Sequence, residues 1–500
     1  MQNVGAAWLM TTLAPSPLMV ALVQSATSAP IFLLGLPAGA LADVADRRQL
    51  LLLTQGWMLL AAAVLGVLTI AEGITPWPLL AFTFLLGLGS AMNAPAWQAI
   101  VPELVERPHL PAAVALNSVG FNLARVIGPA LGGMIIAFVG AGTTFLLNAV
   151  SFLGVILVLY RWRRPSRESV LPTERIIGAV WTGLRYVRNS PPLIAVLVRA
   201  GTFMFCASAL WALLPLVAKQ ELGHGSASYG VLLGSLGLGA VAGSAILPLL
   251  RQRISLNQIV STGTLLFAAV TLALACLRNY FLLCASMGAG GVAWIFLMAS
   301  LNVAAQTAVP SWVRARALAV YLLTFQGGMA VGSAFWGSLA ERSGIAWTLL
   351  YAALGLIASL STQIWWRLQE NEGLDLTPSL RWREPVVSIE PAPEQGPVLV
   401  TVEYRIDPAR VHEFVKAMHE WSRVRRRDGA IRWGLFNDTN NPGCYLETFL
   451  VESWAEHLRQ HERVTMSDRV LEDRVRAFHI GEKPPAISHL IYASEENAKG

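Results

Sequence analysis

The sequence predicts an all-α polytopic membrane protein that ends in a small α+β domain. Hydrophobic residues make up 54% of the chain and charged residues 14%, whereas soluble domains carry roughly 25% charged residues. The mean hydropathy is +0.52. The composition also changes along the chain, because residues up to about Trp366 form successive apolar blocks and charged residues become frequent after them. We therefore expect lipid around the first part of the chain and water around its end.

Apolar blocks define the expected membrane spans. A spanning helix needs about 20 predominantly apolar residues. Each block is apolar on all sides, unlike an amphipathic helix of a soluble bundle. The sequence contains eleven such blocks: Leu18–Ala42, Leu50–Ile70, Trp77–Val101, Leu110–Phe138, Ala141–Tyr160, Leu193–Val217, Tyr229–Leu250, Ile259–Leu277, Tyr280–Gln306, Leu318–Leu339 and Ile345–Trp366.

The N-terminal segment Met1–Leu13 does not fit this series. It is too short to span a bilayer, and it lacks the basic start of a signal peptide. We expect it to be the second half of a twelfth helix, so that the first helix is truncated.

Basic residues predict the orientation of the chain. They occur in alternate connections between the blocks, at Arg47-Arg48, Arg161–Arg164, Arg251, Arg253, Arg314 and Arg316. Such a bias is typical of cytoplasmic loops, so we expect a multi-pass cell-membrane protein with a cytoplasmic C-terminal domain. This distribution accounts for the net charge of +6 without a nucleic-acid partner. The four cysteines lack metal or disulfide spacing, and we expect no metal and no cofactor.

A repeat divides the membrane part. The segment Asn93–Val105 (NAPAWQAIVPELV) resembles Asn302–Val313 (NVAAQTAVPSWV), and each precedes a basic connection and another apolar block. Two like-oriented halves are typical of parallel-repeat transporters; chance similarity is the alternative. We predict an N-terminal transmembrane half at 1–160, a cytoplasmic inter-half loop at 161–192, a C-terminal transmembrane half at 193–369, a linker at 370–396 and an α+β domain at 397–495.

A first motif lies between the first and second blocks and consists of Gly39, Asp43 and Asp46-Arg47-Arg48. It resembles the GxxxDRxGRR loop signature of the major facilitator superfamily, with departures at Val44 and Asp46. The resemblance implies that Asp43 latches a neighbouring helix in one access state, and we expect Gly39 to let two helices approach. An ordinary charged loop that fixes the orientation is the alternative.

A second motif, Gly128-Pro129 followed by Gly132-Gly133, lies within the fourth block. It resembles the GPxxGG core found in exporters of this superfamily. Small residues let helices pack closely and proline bends a helix, so a plain packing seam is the alternative. The strings FNLARVIGPALGG and GLRYVRNSPPL resemble the branch that includes the enterobactin exporter and the transmembrane secretion effector family. This resemblance implies two six-helix halves and proton-coupled export of a siderophore, drug or secondary metabolite by alternating access.

Polar residues inside the blocks are candidates for a translocation path, because an unpaired polar group in lipid costs several kcal/mol. The candidates are Asn117, Asn122, Arg125, Arg199, Asn93 and Gln326. Simple bridging between helices is the alternative for the amides. No acidic residue lies deep in a block, so the proton carrier stays open; Asp43 and Glu341 are peripheral possibilities. No Walker-type motif is present, so we expect no ATP hydrolysis.

The C-terminal region alternates apolar and polar residues from Val398 to Ile406, as in a half-buried strand. Helical spacing follows, then two strands, a long helix over Ser453–His479 and a last strand. The order βαββαβ is that of a ferredoxin-like domain. With Trp454, His457 and His461, the region is similar to the antibiotic biosynthesis monooxygenase-like dimeric α+β barrels. This similarity implies homodimerisation through the domain.

Three interpretations of this domain follow from the similarity: a dimerisation module, a ligand sensor, or a membrane-anchored cofactor-free oxygenase. We favour a transporter without enzymatic activity and without catalytic residues. His457 and His461 are four residues apart and could share a helix face as metal ligands, but no third ligand is evident at suitable spacing, so we predict no metal site. Trp421 and Trp433 fit either a pocket for a planar ligand or a packed core.

Overall fold

The computed structural model describes residues 1–14, 16–44, 46–104, 109–161, 183–368, 375–377, 379 and 391–493. The chain forms two compact units. The first comprises Met1–Glu174, Ala195–Ala304 and Ala319–Leu368, and the second comprises Arg175–Ile194, Ala305–Leu318 and Gln369–Gly500.

Each predicted apolar block coincides with a helix. A short helix, α1, precedes them at Gln2–Leu13, and a π-helical turn, Val217–Glu221, extends α7. The helices are α2 Pro17–Val44, α3 Arg47–Ile70, α4 Pro76–Leu104, α5 Leu110–Val139, α6 Ala141–Arg161, α7 Pro191–Leu216, α8 Ser226–Arg251, α9 Leu256–Cys276, α10 Tyr280–Thr307, α11 Arg314–Ser343, α12 Ile345–Ser359 and α13 Thr362–Trp365.

Ten of the helices in the described ranges are long and apolar enough to cross a membrane, and α5 contributes a shorter apolar stretch, Val126–Val139. The last of these ten, Ile345–Trp365, agrees with the predicted block Ile345–Trp366 and contains a turn at Leu360 and Ser361 between α12 and α13.

Two tight turns occur at similar points of the two predicted halves. Gly140 joins α5 to α6 and Gly344 joins α11 to α12, with φ angles of 89° and 84°. Such positive φ angles favour glycine, which has no Cβ to clash with the backbone. Each glycine therefore lets one helix end and the next begin almost at once, and the same device closes both halves.

The C-terminal domain is an antiparallel sheet with helices on one face. Its elements are β1 Val398–Arg405, α14 Val411–Asp428, β2 Arg432–Asn437, β3 Cys444–Val451, α15 Trp454–Arg463, α16 Met466–Arg476 and β4 Ala486–Ile491. The strand order across the sheet is β2-β3-β1-β4. The single helix predicted over Ser453–His479 is wrong. It is two helices, because the Thr465 side chain accepts from Asp468 N and starts α16 as a capping box.

Alternation along β1 separates the two faces of this sheet. Val398, Val400, Val402 and Tyr404 are buried in a core that also contains Phe414, Met418 and Trp421 of α14. Pairing places Leu446 and Phe436 on the opposite face, beside each other on β3 and β2. These two side chains are 37% and 58% exposed, so this second face of the sheet is open in the described chain.

Candidate translocation path and contacts between the two halves

Glycines of the second motif bring α5 against α8. A Cβ added at Gly133 would lie 2.6 Å from Ser226 O and 2.8 Å from Gly230 Cα, and one added at Gly230 would lie 2.8 Å from Pro129 O. These separations leave no room for a side chain, so the two backbones touch directly. A Cβ at Gly132 would meet Met1 Cα at 3.0 Å. The motif therefore lies in a packing seam between the first and second halves.

A second seam joins α2 to α11. Ser25 Oγ donates to Ala330 O over 2.7 Å, and Ser16 Oγ donates to Glu341 Oε1 over 3.0 Å. A Cβ added at Gly337 would clash with Ala21 Cβ. Glu341, one of the two peripheral carboxylates of the sequence analysis, is thus a member of a contact between the halves.

The first motif is organised around helix ends. Asp46 Oδ1 accepts from Gln49 N over 2.9 Å and caps the N-terminus of α3. Arg48 Nε and Nη2 donate to Leu159 O and Tyr160 O over 3.0 and 2.7 Å. These carbonyls end α6, where the helix dipole favours a cation. Arg48 therefore joins the first turn of α3 to the end of α6, a contact that the sequence did not reveal.

The structure describes the surroundings of Gly39 in this motif, but not those of Asp43. The side chain of Asp43 lies outside the described residues. At Gly39 a Cβ would meet no described atom within 4 Å, so the close helix approach expected there is absent from the described chain.

Arg199 is 5% exposed and takes part in a bridge between helices. Its Nη1 donates to Asn257 Oδ1 over 2.6 Å, and Asn257 Nδ2 donates to Leu368 O over 2.6 Å. Leu368 N returns a bond to Asn257 Oδ1 over 3.0 Å. The amide thus connects α7, α9 and the chain after α13, and Arg199 is satisfied within this bridge.

Asn93 of α4 bridges to α3. Its Oδ1 accepts from Thr54 Oγ1 over 3.3 Å and from Gln55 Nε2 over 3.2 Å. Thr54 and Gln55 are buried, and within the described chain Gln55 Oε1 has no hydrogen-bond partner, so the cluster links the two helices without satisfying all of its polar atoms.

Two of the other four path candidates have described side chains. Asn117 is exposed and Gln326 is half-buried. Asn122 and Arg125 lie in helix α5, and their side chains fall outside the described residues.

Lys219 is a charge in the membrane part that the sequence analysis missed. It lies in the π-helical turn after α7, and its Nζ donates to Thr11 O over 2.9 Å. The ammonium also lies 5.9 Å from the ring centroid of Trp8. It therefore satisfies a carbonyl at the end of α1. A single lysine in a long apolar stretch was the available signal, but the sequence does not indicate its partner.

In the C-terminal domain, Glu447 is completely buried and accepts from three side chains. Arg425 donates through Nε over 3.0 Å and through Nη2 over 3.3 Å. Trp433 Nε1 and Tyr404 OH donate over 3.0 and 3.3 Å. Trp421 is 1% exposed and belongs to the core. The two tryptophans are thus engaged in packing and in this buried network, rather than lining a pocket.

A third histidine joins the predicted pair. The ring of His457 lies 4.8 Å from that of His461 and 4.7 Å from that of His489 on β4. Desolvation on burial lowers the pKa of His457 to about 3 and that of His461 to about 4, with repulsion from neighbouring cations adding to it. Within the described ranges, no three His, Cys, Asp or Glu side chains have metal-site geometry.

Comparison with known proteins places these features in context. A family described as "Transmembrane secretion effector" matches residues 1–497. The staphyloferrin A transporter of Staphylococcus aureus is 24% identical over 75% of this chain and 94% of its own. The multidrug efflux pump Tap of Mycolicibacterium fortuitum is 28% identical over 70% of this chain and 87% of its own.

Two further likenesses complete the comparison. The enterobactin exporter EntS of Salmonella choleraesuis is 29% identical over 45% of this chain and 54% of its own. Among solved structures, a bacterial homologue of the human lysosomal transporter Spinster superposes with a TM-score of 0.57 at 15% identity, over 73% of this chain and 91% of that one. The structural likeness shows the fold of the membrane part.

Proposed function

Because the chain belongs to the transmembrane secretion effector family, we propose that it is a secondary-active exporter that moves a siderophore, drug or secondary metabolite by alternating access. The chain is a small-molecule transporter of the major facilitator superfamily, embedded in the cell membrane as a multi-pass protein.

The two seams carry the alternating-access proposal. Gly133 meets Ser226 and Gly230 close to the C-terminal end of α5, and Ser16 meets Glu341 close to the C-terminal end of α11. The Lys and Arg distribution predicts that both ends face outward. Contacts between the halves at these ends support a conformation that is closed outside, from which rocking about the glycine seam would expose the path to the other side.

We also propose which residues line the translocation path. In the part of the chain that the structure describes, Asn117 and Gln326 have no bond that commits them elsewhere, and Asn122 and Arg125 stay on the candidate path as predictions. Arg199 and Asn93 stay on the candidate path, but their bonds to Asn257, Thr54 and Gln55 give each of them a bridging role as well. Proton coupling is part of the proposal, with Asp43 or Glu341 as the carrier.

Transport by purified protein tests this function. We expect proteoliposomes with an imposed pH gradient to move ethidium or a ferric siderophore, and Asp43→Asn to slow this transport without changing the elution profile of the protein. A wild-type protein that moves none of these compounds under any ion gradient contradicts the export proposal. Wild-type rates in Asp43→Asn contradict the role of the aspartate alone.

For the C-terminal domain we propose a ferredoxin-like fold, a cytoplasmic location and a sensing or dimerising role. The strand order β2-β3-β1-β4 supports the fold, and the open face around Phe436 and Leu446 supports a homodimer contact. We do not propose the oxygenase alternative. The network around Glu447 and the packed Trp421 occupy the interior of the domain, where a substrate would have to bind.

A further inference from the structure

We infer that the C-terminal domain is docked on two connecting segments of the membrane part by a set of arginine–aromatic contacts, and that this docking restrains the ends of the helices those segments join. We call the contacts of Arg427 and Arg463 with Tyr186 and Trp312, together with that of Arg185, the arginine clamp. The docking does not depend on the proposed transport function. Only the effect of the docking on transport depends on it.

The clamp lies entirely within the second compact unit. This unit contains the C-terminal domain together with Arg175–Ile194 and Ala305–Leu318. The first of these segments leads into α7, and the second joins α10 to α11. Three helices of the second membrane half therefore have one end in the same compact unit as the domain.

An aromatic pair links the two connecting segments. The rings of Tyr186 and Trp312 meet edge to face, with centroids 5.6 Å apart. This geometry is a preferred one for aromatic side chains. Tyr186 is 2% exposed, so its ring is covered, and part of the cover is the domain.

Two arginines of the domain lie over these rings. The guanidinium carbon of Arg463 is 4.5 Å from the Trp312 ring centroid, and that of Arg427 is 5.6 Å from the Tyr186 ring centroid. Cations at these distances are attracted by the ring face. One domain thus contacts both segments through the same chemistry.

Carboxylates hold the arginines in position. Arg427 bonds to Asp428 and Asp468 over 2.7 and 2.6 Å. Arg463 pairs with both oxygens of Glu456 and donates to Asp428 O over 2.7 Å. A planar guanidinium that is bonded along its edges keeps its faces free for aromatic contact. The domain therefore presents a preorganised surface to the aromatic pair.

The third contact of the clamp is a hydrogen bond from Arg185. Arg185 Nη1 donates to Gly429 O over 2.8 Å, at the C-terminal end of α14, where a cation is favoured. Gly429 has a φ of 139°, and a Cβ there would lie 3.0 Å from Glu456 Oε1 and 3.2 Å from Arg463 Nη1. Glycine is thus required where the first segment, α14 and the arginine cluster meet.

The clamp restrains movement because its parts lie on separate pieces of chain. If the segment before α7 and the α10–α11 connection move apart, the aromatic pair separates and buried guanidinium and carboxylate groups lose their cover. Separation therefore loses both guanidinium–ring contacts and the edge-to-face contact together, so docking opposes that movement. A ligand or partner that binds the domain would then be sensed at these helix ends.

Hydrogen exchange of the full chain in nanodiscs tests the clamp with variants outside the domain. We expect Trp312→Ala and Arg185→Ala each to speed exchange of peptides from α14 and α15 about tenfold, given the usual strength of such contacts. Peptides at the start of α7 and of α11 should exchange faster as well. Matched controls are Arg188→Ala, at an exposed site three residues from Arg185, and Trp347→Ala, at a tryptophan that is 58% exposed.

The measurements test the docking and the restraint of the helix ends separately. Unchanged exchange in α14 and α15 in both variants overturns the docking. Faster exchange in the domain with unchanged helix ends overturns the restraint. Ethidium export measured in parallel reports on the proposed function, so a wild type that exports nothing removes that function while the exchange result still judges the clamp.

Discussion

Gly133 of α5 and Gly230 of α8 are in direct backbone contact, so close that a Cβ added to Gly133 would lie 2.8 Å from Gly230 Cα. This contact lies between the two membrane halves and within the motif that resembles the exporter signature. It makes the glycine a sensitive point for the transport cycle.

We expect Gly133→Ala to lower the export rate about tenfold, because overpacking a close contact typically costs 1–3 kcal/mol, or about tenfold per 1.4 kcal/mol. Ethidium export from proteoliposomes measures this effect. Gly154→Ala on α6 is the matched control, since a Cβ there would meet no described atom within 4 Å. Equal export by the two variants would show that the seam tolerates a side chain.

Arg48→Ala should destabilise the membrane part. The substitution removes two charged hydrogen bonds to the end of α6, and bonds to charged groups contribute about 1.5–3 kcal/mol each at most. We expect a lower melting temperature in detergent. Arg48→Lys retains the cation at the helix end and should recover part of the loss. A melting temperature that Arg48→Ala leaves unchanged would contradict a stabilising role for the contact between the first turn of α3 and the end of α6.

Glu447→Gln should unfold the C-terminal domain more readily. It leaves Arg425 charged and buried, and breaking a buried pair costs about 3–5 kcal/mol. Urea unfolding of the full chain, followed by near-UV circular dichroism of the domain, measures the change. Glu420→Gln is the control, because Glu420 pairs with Arg474 at an exposed site, where a pair contributes about 0–1 kcal/mol. Equal effects of the two changes would contradict the importance of burial.

Acid should destabilise the domain through His457. Its pKa is lowered to about 3 in the folded domain by desolvation, whereas an unfolded histidine titrates near 6.5. The unfolded chain therefore binds the proton first, and stability falls as the pH drops from about 6.5 towards 3. By about pH 4.5 the loss should be roughly 3 kcal/mol.

The control for this pH effect is His457→Leu, which should flatten the curve. His461 acts in the same direction, with a pKa lowered to about 4. Asp428 acts in the opposite one, because desolvation raises its pKa to about 6. The diagnostic quantity is therefore the difference between wild type and variant in the free energy of unfolding at about pH 7 and 4.5. If the free energies of unfolding of wild type and variant changed equally with pH, the assignment of the effect to His457 would be contradicted.

The sequence predicted the membrane helices well because lipid imposes a length and an all-round apolar surface. It did not predict the break between α12 and α13 or the split between α15 and α16. For the second of these a signal existed, since Thr465 and Asp468 form a capping box that the continuing helical spacing obscured. A capping signal in a sequence can therefore be overlooked where the helical spacing of apolar residues continues across it.

Partners distant in sequence could not be predicted. Arg199 was recognisable as a charge in an apolar block, yet nothing near it indicates Asn257. His489 likewise reaches His457 only because β4 lies beside β1 in the sheet. Such pairs depend on the packing of whole elements, and one sequence carries no record of that packing.

The bond from Lys219 to Thr11 has a consequence for biogenesis. The two residues are 208 positions apart, so the ribosome has synthesised the seven helices α1 to α7 before it adds the lysine. Until then the carbonyl of Thr11 lacks this partner, and the amino-terminal helix cannot reach its final state. Maturation of the first half is thus finished by a residue of the second, which makes co-translational insertion of the two halves interdependent.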